Sequence, residues 1–144
     1  MAKTKVIIQG SSSEILDVQL SDILNCIENG DRFLWSLQWI TAVGKPEDED
    51  VLSFEKSVNK SSNGLLYSWS ELLDLSNRFY QMIELLVCGD QNEASLRRYE
   101  IDEEMVLSCS YVFELVDSSY WLVSSGDKDA ILRMQRELPG VTVC

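Results

Sequence analysis

The chain has 144 residues, which suits one globular domain spanning residues 1–144 and is too short for two ordinary domains. It has 24 acidic residues against 12 Lys and Arg and no His, so its formal net charge is −12. Such a field repels nucleic acid phosphates and anionic lipid surfaces and attracts basic proteins, which excludes nucleic acid and membrane as direct partners.

The first third of the chain is predicted to form a strand, a helix and a longer strand. Residues 5–9 suit a short strand that ends at a glycine and three serines. Apolar residues at helical spacing then predict a helix that ends near Glu28. From Phe33 to Val43 the apolar residues alternate, which is typical of a long strand. This alternation predicts that Trp35 and Trp39 share one face of that strand.

The middle of the chain is predicted to carry two helices and two strands. A short amphipathic helix follows Asp50, and residues 65–67 suit a small strand. Ser68 and Glu71 have the S-x-x-E spacing of a capping box, in which the serine hydroxyl accepts a hydrogen bond from the glutamate amide. The apolar run over residues 82–88 is broken by a single glutamate and indicates an internal strand.

The last third predicts a hairpin between two helices. A short helical segment lies around residues 105–107, and strands over residues 111–116 and 121–124 are close enough to pair antiparallel. A helix over residues 128–138 follows, and residues 141–143 suit an extra strand beside the one that begins at Trp121. We therefore predict an α+β fold with a mixed, largely antiparallel sheet of about five or six strands and four or five helices.

The missing histidine removes the commonest general base and the usual partner of a nucleophilic serine or cysteine. The four cysteines are not spaced as zinc ligands. A carboxylate pair could serve a hydrolase, and Glu84, Glu114 and Asp117 lie within or beside predicted strands. We favour the simpler interpretation that Glu84 and Glu114 face solvent on half-exposed strands, because carboxylates with shifted pKa values also occur in purely structural networks. The sequence therefore predicts no catalytic residue, no metal and no cofactor.

Two acidic clusters are the candidate partner-binding residues. Each precedes a predicted helix, where a carboxylate stabilises the positive end of the helix dipole by a few tenths to about 1 kcal/mol. Solvated helix starts are thus one interpretation, and partner recognition is the other, because adjacent like charges repel one another and exceed what capping requires. The clusters are Glu47, Asp48, Glu49 and Asp50, and Glu100, Asp102, Glu103 and Glu104.

Three stretches, Leu65–Leu72, Phe79–Gln81 and Val116–Trp121, together with the last helix and strand, resemble small uncharacterised bacterial proteins found among the immunity proteins of toxin systems. The resemblance covers most of the chain. It implies a cytoplasmic protein without a cofactor that inhibits a cognate toxin by covering the toxin's active or substrate-binding surface. The lack of a secretory signal and of an apolar run long enough to span a bilayer agrees with that location.

Our leading hypothesis is a non-catalytic acidic protein that binds a basic protein, for instance a cognate toxin. One alternative is a structural or small-ligand-binding module with a tryptophan-lined pocket, which a deep aromatic cleft would favour. The other is a carboxylate-dependent hydrolase, which two carboxyl groups facing each other across a cleft would favour.

Overall fold

The computed structural model describes residues 2–11 and 16–144, and this part of the chain forms one antiparallel sheet with helices on it. Seven strands are present in the order β3-β2-β4-β5-β6-β1-β7: β1 (Thr4–Ile8), β2 (Leu34–Val43), β3 (Leu65–Tyr67), β4 (Gln81–Asp90), β5 (Tyr111–Val116), β6 (Tyr120–Ser125) and β7 (Val141–Val143). The five α-helices are α1 (Leu20–Leu24), α2 (Val51–Lys60), α3 (Trp69–Leu75), α4 (Asp102–Ser108) and α5 (Lys128–Glu137). The predicted α+β class is confirmed, and the sheet slightly exceeds the predicted strand number.

The main hydrophobic core lies against one face of the sheet, which we call the core face. Trp35, Phe113 and Trp121 are almost completely buried there, and apolar residues of α1, α2, α3 and α5 belong to the same cluster. Trp35 stacks on Phe113 with 5.7 Å between ring centroids. The indole N–H of Trp121 donates to the carbonyl of Val18 over 2.8 Å. Trp35 and Trp121 are therefore structural residues, held by ring stacking and by an indole hydrogen bond respectively.

The opposite face, which we call the outer face, is only partly covered. The connection between β4 and β5 contains a short 3₁₀ helix (Glu93–Ser95) and α4, and it packs Leu96 and Met105 onto Cys88 and Val112. Buried Gln38 holds this connection, because its amide donates to the carbonyl of Arg97 over 2.8 Å. The connection thus covers one end of the outer face.

A bulge in β2 corrects the predicted positions of the tryptophans. The pairing of β2 with β4 loses register between Leu37 and Trp39, which leaves Gln38 as an extra residue in β2. The extra residue reverses the alternation beyond it. Trp39 consequently lies on the outer face and is 41% exposed, whereas Trp35 is fully buried on the core face. The prediction that the two share a face is wrong.

Of the other predictions, some are confirmed and some are wrong. The β5–β6 hairpin, the internal position of β4 and the capping box are confirmed, and the Ser68 hydroxyl accepts from the Glu71 amide over 3.2 Å. Helix α1 ends at Leu24 and continues only as turns, so it stops before Glu28. Strand β7 pairs with β1, and not with the strand at Trp121, because β1 lies between them. Two of the three serines predicted after β1 lie outside the described residues.

Candidate protein-binding face

Beside the connection between β4 and β5, the outer face carries one line of side chains across five strands, and one of them, Leu86, also packs against the apolar cluster under the connection. The register aligns Trp39 with Leu86, Leu86 with Glu114, Glu114 with Leu122, and Leu122 with Ile7. Four strand spacings of about 4.8 Å make this line about 19 Å long. Trp39 is exposed, and the other four side chains are half-buried. We call these five residues together with Glu84 the open face.

Glu84 lies beside this line. It pairs with Thr41, whose hydroxyl donates to its carboxylate over 3.4 Å, and it is two residues from Leu86 on the same strand. It is therefore a diagonal neighbour of Glu114 across β4 and β5, an arrangement in which Cα atoms are about 7–8 Å apart. Both glutamates lie on the same side of the sheet and do not face each other across a cleft. Asp117 is separate from them, in the exposed turn of the β5–β6 hairpin.

Glu114 is the charged residue within the cross-strand line, and leucines lie opposite it on both neighbouring strands. Burial raises the pKa of Glu114 above its ordinary value of 4.5, and the negative charges of Asp102 and Glu84 raise it further. Lys5 acts in the other direction and lowers this pKa. The carboxylate of Glu114 is thus incompletely solvated and close to like charges, so an additional cation beside it would be stabilising.

The first acidic cluster lies at the start of α2, and one of its members has a structural role. Asp48 accepts two hydrogen bonds from the guanidinium of Arg78, at 2.8 and 3.3 Å, and these lower the pKa of Asp48. The guanidinium also lies 4.5 Å from the ring centroid of Phe54. The remaining members, Glu47, Glu49 and Asp50, are exposed. Asp48 therefore has a structural role, as the ion-pair partner of Arg78.

The second acidic cluster reaches the open face through Asp102. Asp102, Glu103 and Glu104 form the first turn of α4, Glu100 lies just before it, and all four are exposed. Asp102 is close enough to Glu114 to raise its pKa. Of the eight predicted binding residues, Asp102 is the one that acts on the open face, and its three neighbours extend the negative charge along the start of α4.

Two cavities lie elsewhere. A cavity of about 240 Å³ is lined by apolar residues, among them Trp121, Phe79 and Met82, and by polar residues such as Gln19 and Ser118. An open depression of about 660 Å³ lies at the start of α5, and its lining includes Lys3, Arg32, Lys128, Asp127 and Asp129. The carboxylate of Asp127 is already engaged there, since it caps α5 through the amide of Ala130 and accepts from the hydroxyl of Tyr111 over 2.6 Å. This second lining mixes both charges and favours neither sign of ligand.

No family model, curated protein or solved structure matches this chain. In residues 2–11 and 16–144, no helix is long and apolar enough to cross a membrane. Over the same ranges, no group of three or more potential metal-binding side chains comes together. Function must therefore be inferred from the chain's own surfaces.

Proposed function

We propose that the protein is a non-catalytic acidic binding protein that recognises a basic protein, such as a cognate toxin, through the open face. The observation that carries this proposal is the alignment of an exposed tryptophan, apolar side chains and an incompletely solvated Glu114 in one line across five strands. Tryptophan is enriched among the residues that dominate binding energy at protein interfaces. A surface of this kind supports protein recognition.

The charge of the whole molecule supports a basic partner. A net charge of −12 attracts positively charged proteins and accelerates their encounter. The second acidic cluster adds negative charge beside the open face through Asp102, where interface charges act mainly on association rate and on the choice of partner.

The rigidity of the surface supports inhibition by covering. The open face belongs to five adjacent strands of one sheet and is preformed, so binding it costs little ordering of the chain. An inhibitor that covers a toxin's active or substrate-binding surface needs no catalytic group of its own. The absence of histidine agrees with such a role.

The proposal is tested by comparing two baits in affinity capture from the native host. One bait is the wild-type protein, and the other carries Trp39→Ser and Glu114→Lys. We expect a basic protein that is retained by the first bait and lost with the second. The purified pair should form a complex in calorimetry, and the partner's activity should fall as the complex forms.

Three outcomes would contradict the proposal. Equal capture by both baits would exclude the open face as the interface. A partner without excess positive charge would remove the electrostatic argument. A partner that stays fully active in the complex would leave a binding protein that is not an inhibitor.

A second candidate function is the binding of a small, partly apolar molecule, and the cavity beside Trp121, with its apolar and polar lining residues, supports it. At about 240 Å³ it is below the usual range of about 300–1,000 Å³ for drug-sized ligands and suits a single aromatic ring. Titration with benzene or indole, followed by NMR of the methyl groups of Met82 and Leu115, tests this function. Unchanged methyl signals at saturating ligand would exclude it.

A further inference from the structure

We propose that the open face docks an amphipathic cationic helix of the partner, and that Glu114 receives a lysine or arginine side chain from that helix. This inference rests on the proposed function and names the element and the chemistry that the open face recognises. The carboxylate of Glu114 then selects a cationic side chain at the centre of the interface.

The geometry of the sheet favours a helix over a strand. A partner strand adds to a free sheet edge through backbone hydrogen bonds, whereas the open face offers side chains in the middle of a sheet. The line from Trp39 to Ile7 is about 19 Å long, which matches a helix of about 13 residues. Such a helix can place apolar residues against Leu86 and Leu122 at helical spacing.

Charge decides the chemistry of that helix. Three carboxylates, Glu84, Asp102 and Glu114, interact at this site, and the ammonium group of Lys5 offsets them only in part. An acidic helix, an anionic lipid surface or a second copy of this chain would add negative charge to them. A lysine or arginine compensates it, and its aliphatic stem can pack on the leucines that flank Glu114.

Binding should be coupled to the ionisation of Glu114. Burial and the nearby carboxylates raise its pKa in the free protein, so near that pKa part of the population carries a neutral carboxyl group. A cation beside Glu114 favours the charged form and releases the proton. Affinity should therefore rise as the pH rises through the pKa of Glu114 and become constant above it.

Three synthetic peptides of about 13 residues provide the probes. The first carries leucines on one helical face, with a lysine within that face and lysines around it. The second has glutamate in place of every lysine, and the third keeps the lysines and has glutamine in place of every leucine. We expect only the first to bind the wild-type protein strongly enough to shift the methyl signals of Leu86 and Leu122 and the indole signal of Trp39.

Two variants isolate the role of Glu114. Glu114→Gln should weaken binding of the first peptide by about tenfold or more, the loss expected for one charge-assisted hydrogen bond, and should remove the part of the pH dependence that titrates with this carboxyl group. Glu49→Gln removes an equal charge from the first acidic cluster and should change affinity little. Urea unfolding of each variant establishes that it is folded under the conditions of the titration.

Several results would overturn the inference: binding of the acidic peptide, equal binding of the first and third peptides, no binding of the first, or equal losses in the two variants. Dimerisation through the open face, seen as lost Trp39 exposure at high protein concentration, would do the same. A captured protein partner that binds elsewhere would refute this inference and leave a partner-binding function standing. Peptide binding without a basic protein partner would refute the proposed function and leave only the affinity of the open face for cationic amphipathic helices.

Discussion

Glu114 illustrates a conflict between stability and binding at the scale of one residue. It lies among leucines in the middle of a sheet face, where an apolar side chain would pack better and a carboxylate loses hydration. Its pKa is raised, which means that the folded state holds the proton more tightly than the unfolded state does. The charged form of Glu114 therefore opposes folding of the free protein, and this is typical of residues kept for a site.

Glu114→Gln should consequently stabilise the free protein at neutral pH. A carboxyl group with a raised folded-state pKa gives its full stability at low pH and loses it as the pH rises through that pKa. The gain over wild type should therefore be absent below the ordinary value of 4.5, appear above it, and level off beyond the folded-state pKa. Urea unfolding at several pH values, with exposed Glu103→Gln as control, measures it. A lower stability at neutral pH would contradict this account.

Helix α2 has a role at the scale of the element, because it covers an edge of β2 that β3 leaves free. Strand β3 pairs only with residues 35–37 of β2. Beyond them Asn59 accepts from the amide of Ile40 over 3.0 Å and donates to its carbonyl over 3.2 Å. Glu55 accepts from the amide of Ala42 over 2.6 Å. Two side chains of α2 thus replace the missing strand and protect the edge.

Removing the side chain of Asn59 should destabilise the fold and promote association through the free edge of β2. Asn59→Ala leaves the Ile40 amide and carbonyl without their partner, which should cost about 1–3 kcal/mol of unfolding free energy. Urea unfolding measures the loss, and light scattering near the unfolding midpoint measures the association. Lys56→Ala, at an exposed position of the same helix, is the matched control. Equal stability of the two variants would show that the edge does not depend on Asn59.

Elements defined by local patterns could be predicted from the sequence, and those that depend on distant contacts could not. The capping box at Ser68 and the β5–β6 hairpin each involve residues close in the chain, and both are confirmed. The bulge at Gln38 depends on the partner strand β4 and on the carbonyl of Arg97, which is 59 residues away. Alternation alone therefore placed Trp39 on the wrong face.

The candidate site also depends on contacts between distant residues, so the sequence alone does not predict it. Glu84 and Glu114 stood out as carboxylates in strands, but their position on one face follows from the pairing of β4 with β5. The resemblance to immunity proteins identified no contact residue, and charge alone could not separate the two acidic clusters. What separates them is the structure around each, since Asp48 pairs with Arg78 whereas Asp102 acts on Glu114.

At the scale of the whole molecule, charge should act mainly on encounter. The electrostatic field of a net charge of −12 reaches beyond any single contact. Salt at 0.1 M ionic strength screens the interaction of exposed charges over about 10 Å. Charges at the rim of an interface therefore steer a partner more strongly than charges elsewhere. The second acidic cluster acts on the open face through Asp102, whereas the first lies at the start of α2.

Neutralising the two clusters should accordingly have unequal effects. One variant replaces Glu100, Glu103 and Glu104 by glutamine, and the other replaces Glu47, Glu49 and Asp50 by glutamine or asparagine. Asp48 and Asp102 are retained because they interact with Arg78 and Glu114. Each variant has a net charge of −9, so the location of the lost charge is what differs. Stopped-flow measurement of intrinsic tryptophan fluorescence, to which exposed Trp39 contributes, gives association rates with the cationic amphipathic peptide at low and high salt.

We expect the first variant to associate severalfold more slowly than the second at low salt and to lose most of its salt dependence, with the two rates converging at high salt. Dissociation rates should change little, because exposed rim charges contribute little to the bound state. Equal slowing of both variants would mean that net charge alone steers the partner. Unchanged rates in both would reduce the two clusters to solvated helix starts, and the affinity of the open face would then depend on Trp39, its apolar neighbours and Glu114.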